Sequence, residues 1–74
     1  MYRFRIEVLR EAAAKLGDST GYAIYRRTGI AESSVYRILA GRSQPDLISV
    51  LLMGEAYDVP VEELMQRVPE SIPA

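Results

Sequence analysis

Residues 32–37 read ESSVYR, and five of these six side chains can donate or accept hydrogen bonds. Arg37 offers a rigid planar fork that matches a pair of acceptors or a phosphate. Ser33 and Ser34 are short and can donate or accept at close approach. Glu32 can only accept when ionised. Tyr36 adds an aromatic face and one hydroxyl. Just beyond, Arg42 and Ser43 follow Gly41 and supply a second cation and a second hydroxyl. This is a set suited to recognising polar edges and anions.

It is poorly suited to turnover. The chain has no His and no Cys. The usual neutral-pH acid–base group is therefore missing, and neither a disulfide framework nor a Cys-based zinc site can form. With 74 residues there is little room for a catalytic cleft. The expectation is no enzyme, no cofactor and no metal.

The net charge of −1 argues against a nonspecific polycation, but its distribution is lopsided. Residues 1–45 hold eight Lys or Arg against four acids, a balance of +4; residues 46–74 hold Arg67 against six acids, a balance of −5. Such asymmetry suits a polyanion on one face only. An ordinary mixed-charge surface is the plainer alternative. No apolar run approaches the roughly 20 residues of a membrane helix. The N-terminus is charged from Arg3 onward, without a signal-peptide apolar region. A soluble, cytoplasmic location without membrane contact is expected.

The elements that must carry these residues follow from apolar spacing and punctuation. Phe4 or Ile6, Leu9, Ala13 and Leu16 predict a first helix over residues 4–16, closed by Gly17 and Asp18. Ser19 or Thr20 can cap a second, over 21–27, with Ile24 its firmest core residue and Arg26 and Arg27 in its last turn. Thr28-Gly29 ends it. The third, over 32–40, carries Val35, Ile38 and Leu39 on one stripe, and Ile30 packs beneath the preceding turn. Asp46 caps a fourth, with Ser49 at its third position and Leu47, Val50, Leu51, Met53 and Tyr57 as its apolar set; Gly54 is a close-packing point. A short fifth, opened by Glu62-Glu63, ends near residues 64–66. The domain is expected to span 1–68, with a frayed tail over 69–74.

Two helices joined by a tight Gly-containing turn form the helix-turn-helix pattern, in which the second helix offers its N-terminal residues to the DNA major groove. Its inner face must be apolar and its leading outer face polar, as residues 32–41 are. The order of residues resembles the Cro/C1-type family, also called the xenobiotic-response-element type. It rests on Ile24-Tyr25, Thr28-Gly29-Ile30, Glu32-Ser33-Ser34, Val35, Gly41, Pro45, then Leu47, Val50 and Met53, Tyr57-Asp58-Val59 and Leu64. It spans roughly residues 6–66.

The resemblance implies an all-α, five-helix lambda-repressor-like DNA-binding domain with a central helix-turn-helix. It implies a transcriptional regulator, prokaryotic or phage-encoded and nucleoid-associated when bound, that acts as a repressor on inverted half-sites through helix 32–40. Base reading would fall to Arg37, Ser33, Ser34, Glu32 and Tyr36. Phosphate binding would fall to Thr20, Gly21, Tyr22, Arg26, Arg42 and Ser43. Partners would be double-stranded DNA and a second copy of the chain, with Ile48, Leu52, Val61 and Ile72 as candidate dimer contacts. Ile48 and Leu52 could equally line the core. No small-molecule effector is expected; control could come from a regulatory protein partner.

Four positions depart from the family pattern. Gly21 stands where a Gln phosphate clamp is common, and Glu32 where Gln is frequent. Tyr25 replaces a small Ala between helices, so it either separates them or turns outward. The link from the first helix to the second is about one residue longer. Glu32 in particular would be repelled by phosphate and could instead hold Arg37 in place. The alternative reading is a protein-interaction module on the same fold, antitoxin-like or anti-repressor-like, with weak or no DNA binding. Net charge, Glu32 and Gly21 favour it.

Overall fold

The computed structural model describes residues 1–69. The elements run β1 (Tyr2–Phe4), α1 (Ile6–Lys15), α2 (Gly21–Thr28), α3 (Glu32–Leu39), α4 (Leu47–Tyr57), α5 (Val61–Leu64) and β2 (Met65–Arg67). The described residues are mostly helical, with five helices among them in the expected order. Of the expected 69–74 tail, residues 70–74 lie outside the described residues, and Ile72 with them.

The departure from an all-helical chain is the pair of short strands. β1 and β2 pair antiparallel, with Tyr2 opposite Arg67, Arg3 opposite Gln66 and Phe4 opposite Met65. Arg5 N–H donates to the Leu64 carbonyl at 2.7 Å and Val68 N–H to the Met1 carbonyl at 2.9 Å, extending the ladder. Hence α1 starts at Ile6 rather than at residue 4, and α5 stops at Leu64 instead of running into 65–66. The helix-like spacing from Phe4 to Leu16 hid the strand, because Phe4 is buried in either conformation.

One core joins all the layers. It gathers Phe4, Leu9, Ala13, Ile24, Ile30, Val35, Ile38, Val50, Met53, Tyr57 and Leu64. α4 is the central strut, packed against α1, α2 and α5. Gly54 lets α4 approach the next segment, since a Cβ there would lie 2.7 Å from the Val59 carbonyl oxygen. Three residues expected inside are outside: Leu16, Leu47 and Leu51 are exposed. α4 buries Val50, Met53, Gly54 and Tyr57, which recur at three and four. Leu51 lies off that stripe, and Leu47 projects one turn ahead of it. Ile6 and Leu39 are half-buried at the core's edge.

Candidate nucleic-acid interface

α2 begins where its cap requires. The Thr20 side chain accepts from Ala23 N–H at 3.1 Å, satisfying a donor the helix cannot. At the other end Gly29 takes φ 79°, a left-handed turn that costs any other L-residue strain. Thr28, buried beside it, donates its hydroxyl to the Ile24 carbonyl at 2.8 Å and accepts from Ile30 N–H at 3.2 Å. These bonds fix the turn before α3. Ala31 offers α3 no side-chain cap, as its type predicts.

α3 packs chiefly on α2. Val35 and Ile38 are its buried anchors. Its C-terminal end is tied to α1, where an Arg10 Nη2 donates to the Leu39 carbonyl at 3.3 Å. With that inner face fixed, the outer face is polar. Glu32, Ser33 and Arg37 are exposed, and Ser34 is half-buried.

Arg37 donates to Ser34 Oγ at a long 3.4 Å. It is not held by Glu32, and among the described residues Glu32 forms no ion pair. Arg26, Arg37 and Arg42 likewise form no ion pair among the described residues, which leaves their charge uncompensated by a bonded acid.

The expected site residues fall into separate groups. Ser34, Arg37 and Ser43 share one groove with Gln44 and the start of α4. Gln44 is partly committed there, because its Oε1 accepts from Phe4 N–H at 3.1 Å and ties the α3–α4 connector to β1. Arg26 lies elsewhere, beside Ala23 and Arg27. Tyr22 is exposed and meets Tyr25 edge-on, with ring centroids 5.8 Å apart at 61°. Tyr25 is half-buried against the core's edge.

Gly21 and Tyr36 form one contact. Gly21 is buried, and a Cβ built on it would stand 2.5 Å from Tyr36 Cε1 and 2.7 Å from Cδ1. The ring of α3 thus occupies the space that any larger residue at the start of α2 would fill.

A polar cluster, buried at Asp18 and Tyr57 and open at Arg27, braces the support. Asp18, Arg27 and Tyr57 come from the α1–α2 link, the end of α2 and the end of α4. Asp18 Oδ2 accepts from both Arg27 Nε and the Tyr57 hydroxyl, the latter at 2.8 Å; its Oδ1 accepts from Arg27 Nη2 at 3.3 Å. The Arg27 guanidinium also stands 5.9 Å from the Tyr57 ring centroid. Arg27's hydrogen bond, aided by that of Tyr57, holds the Asp18 carboxyl below the usual carboxylate range. Burial, then Asp18, push the Tyr57 phenol above its ordinary value. Arg27 is raised chiefly by its bond to Asp18.

In the sequence Asp18 marks only the end of a helix and Arg27 only a cation in the last turn of α2, where the helix dipole favours it. The available hint was one acid and one cation nine positions apart, flanking a single short helix.

Ile48 and Leu52 are exposed, and so are their neighbours Leu47 and Leu51. Together they make a two-turn apolar face on the outside of α4. Val61 is half-buried against the core. No described helix is long and apolar enough to cross a membrane. Compared with protein-family models, curated proteins and solved structures, the chain matches none.

Proposed function

We propose that this protein is a sequence-specific double-stranded DNA-binding transcriptional regulator on a lambda-repressor-like, Cro/C1-type scaffold, acting as a cytoplasmic repressor. One observation carries the reading. α3 buries Val35 and Ile38 on one side while its leading outer side offers Glu32, Ser33 and Arg37 to solvent, directly after a glycine turn from α2. A groove-reading helix needs that division.

Arg37 takes a guanine edge through O6 and N7, the commonest specific contact. Ser33 and Ser34 fill close approaches. Arg42, Ser43 and Arg26, with Thr20 and Tyr22, supply phosphate contacts that set affinity and register without reading sequence. Thr20 can still donate its hydroxyl, since capping uses only an acceptor lone pair. Glu32 excludes wrong sequences by repelling misplaced acceptors.

A single small module buries too little surface for high specificity. Two copies on inverted half-sites about one helical turn apart supply the rest. The outer face of α4, led by Ile48 and Leu52, is the contact between them.

Selection of bound fragments from a random duplex library tests the reading. Enrichment of a short inverted repeat whose binding weakens steeply with salt is the expected result. Failure to enrich any duplex at low salt refutes it. The second reading, a protein-interaction module, is favoured by the exposed apolar face of α4 and the unpaired Glu32. It predicts a stoichiometric protein complex and no DNA retention.

A further inference from the structure

α3 is held mainly against α2. Its inner face is anchored by Val35 and Ile38, and its end by Arg10 on the Leu39 carbonyl. At the first turn of α2 a further contact is added, the Tyr36 ring lying against Gly21.

Gly21 is not there for backbone freedom. The glycines at positive φ are Gly17, Gly29 and Gly41, and Gly21 is not one of them. Gly21 is the first residue of α2, directly after the Thr20 cap, where the turn imposes no glycine. The cause on the molecule is space. A Cβ would meet Tyr36 Cε1 at 2.5 Å, so the ring would have to retreat by about 1 Å to reach ordinary contact. Taken up by α3 rather than by the ring alone, that displacement exceeds the roughly 0.5 Å within which a preorganised recognition site must be held.

Tyr36 is 48% exposed, so about half of its surface is engaged in packing while an edge remains free. It adjoins Arg37 and lies two residues from Ser34. Where α3 tilts to clear the ring, both are displaced.

On the DNA-binding reading above, we propose that the Gly21–Tyr36 contact is specificity-determining. The Tyr36 ring, rather than its hydroxyl, sets the angle at which Ser33, Ser34 and Arg37 are presented. Tyr36 is a positioning residue and Gly21 is its seat. Neither reads a base.

The test uses the duplex enriched by the wild-type protein and a scrambled duplex of the same length. Both affinities are measured at one salt concentration for Tyr36→Phe, Tyr36→Ala, Gly21→Ala and the double variant. Tyr36→Phe keeps the specific-to-scrambled ratio within about twofold. Tyr36→Ala and Gly21→Ala each lose about tenfold of that ratio while scrambled binding changes little, because phosphate contacts carry it. The double variant is no worse than either single one, as expected for residues in direct contact.

A Tyr36→Phe loss equal to that of Tyr36→Ala would assign a direct contact to the hydroxyl and overturn the proposal. So would a Gly21→Ala protein of unchanged ratio. Should Gly21→Ala fail to fold, the double variant decides. Folding with the ratio of Tyr36→Ala supports the seat, and failure to fold overturns it. A wild-type protein that enriches no duplex removes the DNA reading itself, an outcome distinct from the others.

Discussion

Replacing Tyr57 by Phe removes one oxygen and leaves the ring that packs in the core. The lost bond is the phenol O–H donated to Asp18 Oδ2 at 2.8 Å, between residues only 7% and 8% exposed. Hydrogen bonds to charged groups contribute about 1.5–3 kcal/mol. Asp18 keeps its bonds to Arg27, so no acceptor is orphaned and the lower end applies, about 1.5 kcal/mol. For a domain of this size, about 1.5 kcal/mol lowers Tm by roughly 6–12 °C.

The pH dependence is sharper than the magnitude. In the folded protein Asp18 titrates below its ordinary 3.8. Stability from that carboxylate is therefore complete above pH 3.8 and drains away as pH falls through the lower folded value. Tyr57 titrates above its ordinary 10.0, so its contribution is complete below pH 10.0 and declines as pH rises beyond it. The wild-type advantage over Tyr57→Phe is then flat between about pH 5 and 9 and narrows at both ends. Thermal unfolding followed by far-ultraviolet circular dichroism across pH 2–11 measures it. A gap below about 0.5 kcal/mol at pH 7, or one that persists unchanged from pH 9 to 11, would refute the reasoning, since surface substitutions reach that size without any buried bond.

Arg37→Ala should weaken binding to the enriched duplex by about 1–3 kcal/mol and relax selectivity at one base pair, read by competition against point-substituted duplexes. Arg42→Ala should weaken all duplexes alike and reduce the slope of log affinity against log salt by about 1; a sequence-dependent effect would contradict its phosphate role. Ile48→Glu with Leu52→Glu, on the exposed face of α4, should leave the circular dichroism spectrum intact and convert a sedimenting dimer to monomer. Unchanged mass would remove α4 from the contact. Gly29→Ala, at φ 79°, should cost about 1–2 kcal/mol in denaturant unfolding, whereas a neutral outcome would mean the turn can relax.

Local chemistry made much of the helical part legible. Thr20 and Asp46 cap their helices through Ala23 N–H and Ser49 N–H, and Gly29 closes α2, each within four residues of its partner. Hydroxyls and carboxylates that compete for nearby backbone donors announce such starts in sequence. The alternation on α3 was equally local, because Val35 and Ile38 face inward only if Ser33 and Arg37 face outward. Leu47 and Leu51 misled, since the run from Leu47 to Met53 is apolar except for Ser49 and has too little periodicity to say which side is buried.

What lies far apart in the chain was decided by the tertiary structure alone. Tyr2 meets Arg67 because closing that long loop is repaid only once the core around Phe4 and Leu64 exists. Tyr57 finds Asp18 across 39 positions for the same reason. Gly21 and Tyr36 show the division most plainly. The order of residues is enough to show that α2 opens with a residue lacking a side chain, and that α3 carries a ring in its middle. Only the packing of the two helices determined that the ring needs the space the glycine leaves, because steric exclusion acts between surfaces that the chain brings together by folding.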